Sequence, residues 1–407
     1  MWFIMAIYEI MWMLALPALI FIPKLKAQWK ERLLIKSTEK RHFDIWIHAA
    51  SVGECYILLD VASHLERLGL KIVATTNTEQ GKEILSNGNI ENLYARYLPF
   101  DFAPVLKKAI SVWNPKLVVL IETELWPALL YTCKKRNIPV LIINGRLSEK
   151  SFTAYRKLKR LWRKISPAMI YAISEDDAQR YREIFGEKRV ALMNNIKFDR
   201  IKLGDAKSSI KSIIPKEKKI IVLGSVRKEE ENDLLWVIQV VLKAYPDCII
   251  ALFPRHMDRI EWWKNALREK GLNYKLRSEI KDSSWKADVL LWDKIGELSS
   301  AYAVADSVFV GGSLKPCGGQ NFLEPLAFGV TPCVGPFIEN FKWVGRYLFD
   351  EGLVIMVKDK KELARCLIQN AIGETDREGI KKRFQAFLAS KKGGTKTAVN
   401  AISNFLN

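Results

Sequence analysis

The chain has 407 residues, 49% of them hydrophobic, which excludes a disordered polypeptide and is too long for one ordinary domain. Lys and Arg number 64 against 45 Asp and Glu, a net charge of +19, so anionic partners are favoured: phosphorylated substrates, acidic lipid surfaces or nucleic acid. Four His with no pair at ligand spacing and six scattered Cys with no CxxC argue against a metal site, and no zinc-type or RNA-binding aromatic pattern supports nucleic acid.

Residues 1–22 are almost wholly apolar, interrupted by Glu9 and Pro17, and are followed by Lys24, Lys26, Lys30, Arg32 and Lys36. This pattern predicts a single membrane helix that anchors the chain with its remainder in the cytoplasm. A cleaved signal peptide would carry positive charge before the apolar run and small residues after it, and neither is present. A helix lying in the membrane interface, or packed on the protein, is the other reading of this segment.

From residue 44, apolar runs of strand length alternate with amphipathic stretches. Strands are expected at 45–50, 71–76, 117–122, 140–144 and 169–174, with helices at 54–68, 102–113, 126–137 and 175–185. The segment 195–218 is polar and basic and reads as a linker. Beyond it, strands are expected at 220–224, 248–253, 289–292, 307–311, 331–334 and 353–357, and helices at 229–245, 260–270, 297–305, 322–328 and 360–372. Residues 376–407 read as closing helices. The alternation predicts an α/β protein with parallel sheets covered on both faces, in two Rossmann-like domains at 23–194 and 219–375. Ligands of such domains bind at the C-terminal ends of the strands.

Four clusters fall at those strand ends. In His48-Ala-Ala-Ser-Val-Gly-Glu54 a strand meets a turn, and Glu54 opens the next helix, placed either to take a proton or to complement the helix dipole. The helix end should keep Glu54 ionised. In Ile121-Glu-Thr-Glu-Leu-Trp-Pro127, strand alternation sends Glu122 and Glu124 to one side, unless the segment is a plain helix start. Lys197 by the linker and Arg255 at a strand end suit a phosphate or an acidic sugar. Gly311, Gly312 and Ser313, with Gly318 and Gly319, allow backbone amides close to a donor ligand, and Asn321 and Glu324 share a helix face from which a carboxylate can hold ribose hydroxyls. Separately, residues 150–164 carry seven Lys and Arg and no acid, interleaved with Phe152, Tyr155, Leu158, Leu161 and Trp162, as a membrane-surface helix or a solvated basic one would.

Together with Asn144-Gly-Arg-Leu-Ser148, Ser174-Glu-Asp-Asp177, Gly296-Glu-Leu298 and Gly335-Pro336, these clusters give a chain that resembles the bacterial Kdo transferases of lipopolysaccharide synthesis over nearly its whole length. The resemblance implies a GT-B fold, with two Rossmann-like domains facing a central cleft, the N-terminal one binding acceptor and the C-terminal one donor. It implies inverting transfer of Kdo (3-deoxy-D-manno-oct-2-ulosonic acid) from CMP-Kdo to a lipid A precursor such as lipid IVA. No metal or other cofactor is implied, and the location is the cytoplasmic face of the inner membrane. Carried over by residue, Glu54 matches the proton acceptor and Glu122 and Lys197 the transition-state stabilisers. The CMP contacts match Pro254, Arg255, Gly296, Glu297, Leu298, Asn321, Phe322, Leu323 and Glu324. The chain departs from the family at Ser225-Val-Arg-Lys-Glu-Glu-Glu231, where a Ser-Thr-His-Glu-Gly-Glu-Glu-like loop is expected, and at Asn194 or Asn195, where a Gly is expected. Alternatives are another GT-B nucleotide-sugar enzyme, such as a UDP-sugar transferase or epimerase, and a non-catalytic membrane-bound protein that binds nucleotide or lipid.

Overall fold

The computed structural model describes residues 2–19, 21–22, 25, 27–35, 42–201, 203–204, 210–215 and 217–406. The chain forms two compact units, Met1–Arg200 with Lys391–Asn407, and Ile201–Ser390. The expected linker is therefore divided. Asn195, Ile196 and Phe198 are buried in the first unit, the chain from Ile201 belongs to the second, and residues 202, 205–209 and 216 lie outside the described residues.

In the first unit the strands are β1 (Ile45–Ala49), β2 (Ile72–Thr76), β3 (Leu93–Tyr97), β4 (Leu117–Ile121), β5 (Val140–Gly145), β6 (Met169–Ala172) and β7 (Val190–Leu192). They form one sheet in the order β3-β2-β1-β4-β5-β6-β7, every pairing parallel. The central runs, such as Leu-Val-Val-Leu-Ile in β4, are buried at every position because helices cover both faces. The order reverses between β1 and β4, and there the chain leaves the sheet in opposite directions and opens a crevice at the strands' C-terminal ends. The helix Gly394–Leu406 returns to this unit and packs Ala398 and Ile402 into the core beside Met193 and Ile196.

The second unit repeats the plan with β8 (Lys219–Val226), β9 (Cys248–Pro254), β10 (Tyr274–Leu276), β11 (Val289–Leu291), β12 (Ser307–Val310), β13 (Pro332–Val334) and β14 (Ile355–Met356). Their order is β10-β11-β9-β8-β12-β13-β14, again all parallel, with the reversal between β8 and β12.

The expectation of a membrane-spanning N-terminal helix is corrected. No helix among the described residues is long and apolar enough to cross a membrane. The helix Trp2–Leu19 exists, but its 18 residues span about 27 Å at about 1.5 Å each, short of a core of about 30 Å. One face docks on the first unit: Met5 is buried, the Tyr8 hydroxyl donates to Asp101 at 2.7 Å, and the Ala103 N–H donates to both Glu9 oxygens at 3.1 Å. Two polar side chains held by the protein tie the helix along its surface. Of the basic flank, Lys24, Lys26 and Lys36 lie outside the described residues. Arg32 is buried and donates to Asn77 O and Leu98 O, so its charge is spent inside the unit.

The basic segment 150–164 is two short helices, Glu149–Lys157 and Lys159–Lys164, parted at Leu158. Phe152, Leu161 and Trp162 are buried and Tyr155 packs against the same core, so its apolar face covers the unit itself.

Candidate active site

At the first unit's crevice, Ser51 caps the helix Val52–Glu66 by accepting from the Glu54 N–H. The Glu54 side chain folds back: Ala50 N–H donates to Oε2 at 2.8 Å and the Ser51 hydroxyl to Oε1 at 2.7 Å. Glu54 is thus a helix-cap partner and a crevice carboxyl at once. The helix end does not keep it readily ionised as expected. Burial, opposed by the Ser51 hydrogen bond and reinforced by the charges of Glu122 and Glu124, pushes it up to about 7.

Those two carboxylates arrive by a route other than strand alternation. β4 stops at Ile121, and Glu122 takes a left-handed φ of 60°. Its N–H donates to Ile143 O, and its Oε1 accepts from Lys197 Nζ at 2.7 Å. Glu124 turns toward His48 and accepts from Trp126 Nε1 at 2.9 Å. The turn, rather than the pleat, brings both charges to Glu54.

Lys197 lies on the turn Ile196–Phe198, capped by Asn195 Oδ1. Asn144, at the end of β5, accepts from Ile196 N–H at 2.9 Å and so fixes the turn to the sheet. Next to it, Asp199 accepts from the N–H groups of Gly393 and Thr395, which ties the lysine's turn to the helix Gly394–Leu406. The sequence reading named Asn144 in a motif but found no task for it.

In the second unit, the Gly311–Ser313 loop is not open to a donor. The N–H groups of Gly312, Ser313 and Leu314 donate to the fully buried Glu230 at 2.6, 2.8 and 2.7 Å, and Arg227 N–H adds a fourth bond at 3.2 Å. The departing loop thus places a carboxylate of the protein in the amide cradle. Burial pushes that carboxyl up, against the pull of its donors. Gly311 is obligatory, because a Cβ there would stand 2.6 Å from Ser225 O. Gly318 and Gly319, both with positive φ, lead toward Asn321.

Asn321 Nδ2 donates to Glu324 Oε1 at 2.9 Å, so the expected shared face exists. Burial raises the Glu324 carboxyl, while Asn321 and the charge of Arg255 pull it down, which brings Arg255 to the same end of the sheet. Arg255 itself is exposed and Pro254 is buried at the end of β9. The side chains of Phe322 and Leu323 face the core, and the Leu323 N–H donates to Asn321 Oδ1 at 3.2 Å. The helix after them, Leu323–Ala327, has five residues, so its N-terminal dipole is short. Glu297, between Gly296 and Leu298, accepts two bonds from Arg277, at 2.8 and 3.1 Å, and one from Trp292 Nε1. Nothing local in the sequence linked Arg277 or Trp292 to Glu297.

A family model described as 3-deoxy-D-manno-octulosonic-acid transferase (kdotransferase) matches residues 27–200. The 3-deoxy-D-manno-octulosonic acid transferase of Rickettsia bellii is 30% identical over 345 residues, which cover 83% of this chain and 82% of that protein. The transferase of the same name from Haemophilus influenzae is 29% identical, with 89% and 87% covered. A bifunctional glycosyltransferase/methyltransferase of Fusobacterium nucleatum is 29% identical over 79% of this chain, which spans about half (52%) of that longer protein. Among solved structures, a glycosyltransferase from Rickettsia africae aligns over 90% of this chain and 99% of its own, with a TM-score of 0.59 at 12% identity, a likeness of fold.

Proposed function

Because the chain belongs to the 3-deoxy-D-manno-octulosonic acid (Kdo) transferase family, glycosyltransferases of lipopolysaccharide synthesis, we propose that it moves Kdo from CMP-Kdo to a lipid A precursor by inverting, metal-independent displacement. The observation that carries this reading is Glu54: a buried carboxyl that takes up its proton at about 7, at the reversal point of the first sheet, beside the Lys197–Glu122 pair. A general base works best when its proton affinity lies near the working pH.

In the proposed step, Glu54 takes the proton of the acceptor hydroxyl. The acceptor oxygen bonds to the anomeric carbon of Kdo while the bond from that carbon to the CMP phosphate oxygen breaks, and its electron pair leaves with CMP. Lys197, held by Glu122, opposes negative charge near the reacting centre, and Glu122 serves by aiming Lys197. Arg255 meets the departing phosphate, and the Asn321–Glu324 pair holds ribose hydroxyls. The test is mass spectrometry of a tetraacyl lipid A precursor incubated with freshly made CMP-Kdo and EDTA. A gain of Kdo supports the reading. No gain from folded, CMP-binding protein removes it, and transfer from a UDP-sugar instead assigns a different donor.

Two expected results follow from this assignment. Arg255→Ala should weaken CMP binding by about tenfold or more, as loss of a charge-assisted contact of about 1.5–3 kcal/mol requires, read by calorimetry. At the N-terminus, the exposed face of the helix Trp2–Leu19 carries Phe3, Ile4, Ile7, Met11 and Leu14. In our reading it lies in the cytoplasmic leaflet of the inner membrane. Ile7→Glu with Met11→Glu should then reduce sedimentation with anionic lipid vesicles by tenfold or more, because each change sets a charge against hydrocarbon.

A further inference from the structure

His48 is the penultimate residue of β1 and is fully buried, and its ring is fixed by a network that leaves one nitrogen facing the crevice. Trp46 Nε1 donates to Thr75 Oγ1 at 2.8 Å, and the hydroxyl passes its own hydrogen to Ile47 O at 3.4 Å. Nδ1 of His48 lies 3.0 Å from Thr75 O and 3.1 Å from Thr75 Oγ1, and in this network both atoms accept. Nδ1 therefore carries a hydrogen whether the ring is neutral or charged. Nε2 has no hydrogen-bond partner among the described residues and faces Glu124 Oε2 at 3.6 Å.

A bare imidazole lone pair against a carboxylate oxygen is repulsive, even where Trp126 Nε1 already donates to that oxygen, and it leaves the fully buried Nε2 without a partner. The gap of 3.6 Å is too short to hold a bridging water. One proton on Nε2 removes both costs and turns the contact into an ion pair.

We propose that His48 and Glu124 share one proton, so that the pair is neutral overall and His48 is a positioning residue that acts on the proposed base through Glu124. The charged and titratable groups around Glu54 are Glu122 and Glu124 at the exit of β4, Lys197 on its turn, Cys55 on its own helix, and His48 behind Glu124. Lys197 offsets Glu122, and His48 offsets Glu124. Burial is the largest cause of the rise of Glu54, ahead of the charges of Glu122 and Glu124, and the proton on His48 offsets the second of these. The same ion pair ties the Glu122–Pro127 turn to the end of β1. Without it, Glu124 would push Glu54 further up, and a smaller fraction would be ionised at neutral pH.

The first arm of the test does not depend on the proposed reaction. The whole protein, with 15N-labelled histidine, has four His to assign, and their ring nitrogens report protonation directly by NMR. At pH 7.5 wild-type His48 should show both nitrogens protonated, and Glu124→Gln should return it to the neutral form with the hydrogen on Nδ1. A neutral wild-type His48 at that pH overturns the proposal. The second arm rests on the transferase reading. His48→Gln, which keeps a donor near Nε2 but removes the positive charge, should move the acid limb of kcat/KM to higher pH by about one unit. Glu124→Gln removes the negative charge and, with it, the proton on His48, so it should leave that limb in place. A limb unmoved by His48→Gln but shifted to lower pH by Glu124→Gln marks Glu124 as an unbalanced charge and also overturns the proposal. If His48→Gln does not fold, the NMR arm with wild type and Glu124→Gln still decides.

Discussion

Glu54→Gln is expected to lower Kdo transfer by about 10³-fold, the scale of losing a positioned general base, while CMP binding in the other unit is unchanged. The amide oxygen can still accept from the Ala50 N–H and the NH₂ can donate to Ser51 Oγ once that hydroxyl turns, but the side chain cannot accept a proton. In the wild type the rate should fall about tenfold per pH unit below about 7, where Glu54 takes up its proton. The same group ties activity to stability. Its folded value, about 7, is raised above the ordinary 4.5, so the folded state binds this proton more tightly than the unfolded chain does. The resulting stabilisation is fully present below 4.5 and is lost as pH rises through 7. Glutamine mimics the protonated form at every pH. Thermal unfolding at pH 8 should therefore find Glu54→Gln more stable than wild type by up to about 3 kcal/mol, with the advantage gone at pH 4. A variant that is inactive and less stable at pH 8 would contradict the assignment of Glu54 as a buried, destabilised base.

Glu230→Ala is expected to cost the second unit about 4 kcal/mol, because it leaves three buried N–H groups and the half-buried one of Arg227 without their acceptor. The unfolding transition of that unit should fall by about 10 °C. Glu230→Gln should recover only part of the loss. Its oxygen replaces one acceptor, but its NH₂ group faces amides that also donate. Equal stability of Glu230→Gln and wild type would mean that the cradle reorganises without the charge. CMP binding should weaken in the alanine variant, since Gly312 hydrogen-bonds to Gly319 and the loop runs on to Asn321.

The fold was legible wherever a strand is covered on both faces. Runs such as 117–122 and 248–253 stand out because both faces are apolar, and β4 and β9 are found there. Three strands gave no such run: β3, β7 and β10. All three are edge strands, exposed along one side, and β3 mixes Arg96 with half-buried aromatics. The N-terminal segment was legible as an apolar helix. Its docking was not, because the partners of Tyr8 and Glu9 lie more than 90 residues away.

The same divide runs through the site. Glu54, Glu122 and Lys197 were legible as residues, and the structure brings the three together in one crevice. The state of Glu54 was not legible, since its burial is set by the whole crevice and the helix end alone suggested ionisation. Nor did any local pattern reveal that Gly311–Ser313 serves Glu230. The glycines signalled amides close to a donor ligand, and the acceptor they serve lay 82 residues earlier in the chain.

The return of the helix Gly394–Leu406 to the first unit has a consequence for biosynthesis. The first unit emerges from the ribosome long before this helix, yet the helix supplies Ala398 and Ile402 to its core and binds the turn that carries Lys197 through Asp199. The first unit therefore waits, its core unsealed, while the whole of the second is made. A nascent chain holds Glu54, Glu122 and Lys197 early, but the turn of Lys197 gains its further tie through Asp199 only when Gly393 and Thr395 are in place. Full closure of the first unit in this way waits on the segment after the second unit, and a chain broken off within the second unit lacks that tie.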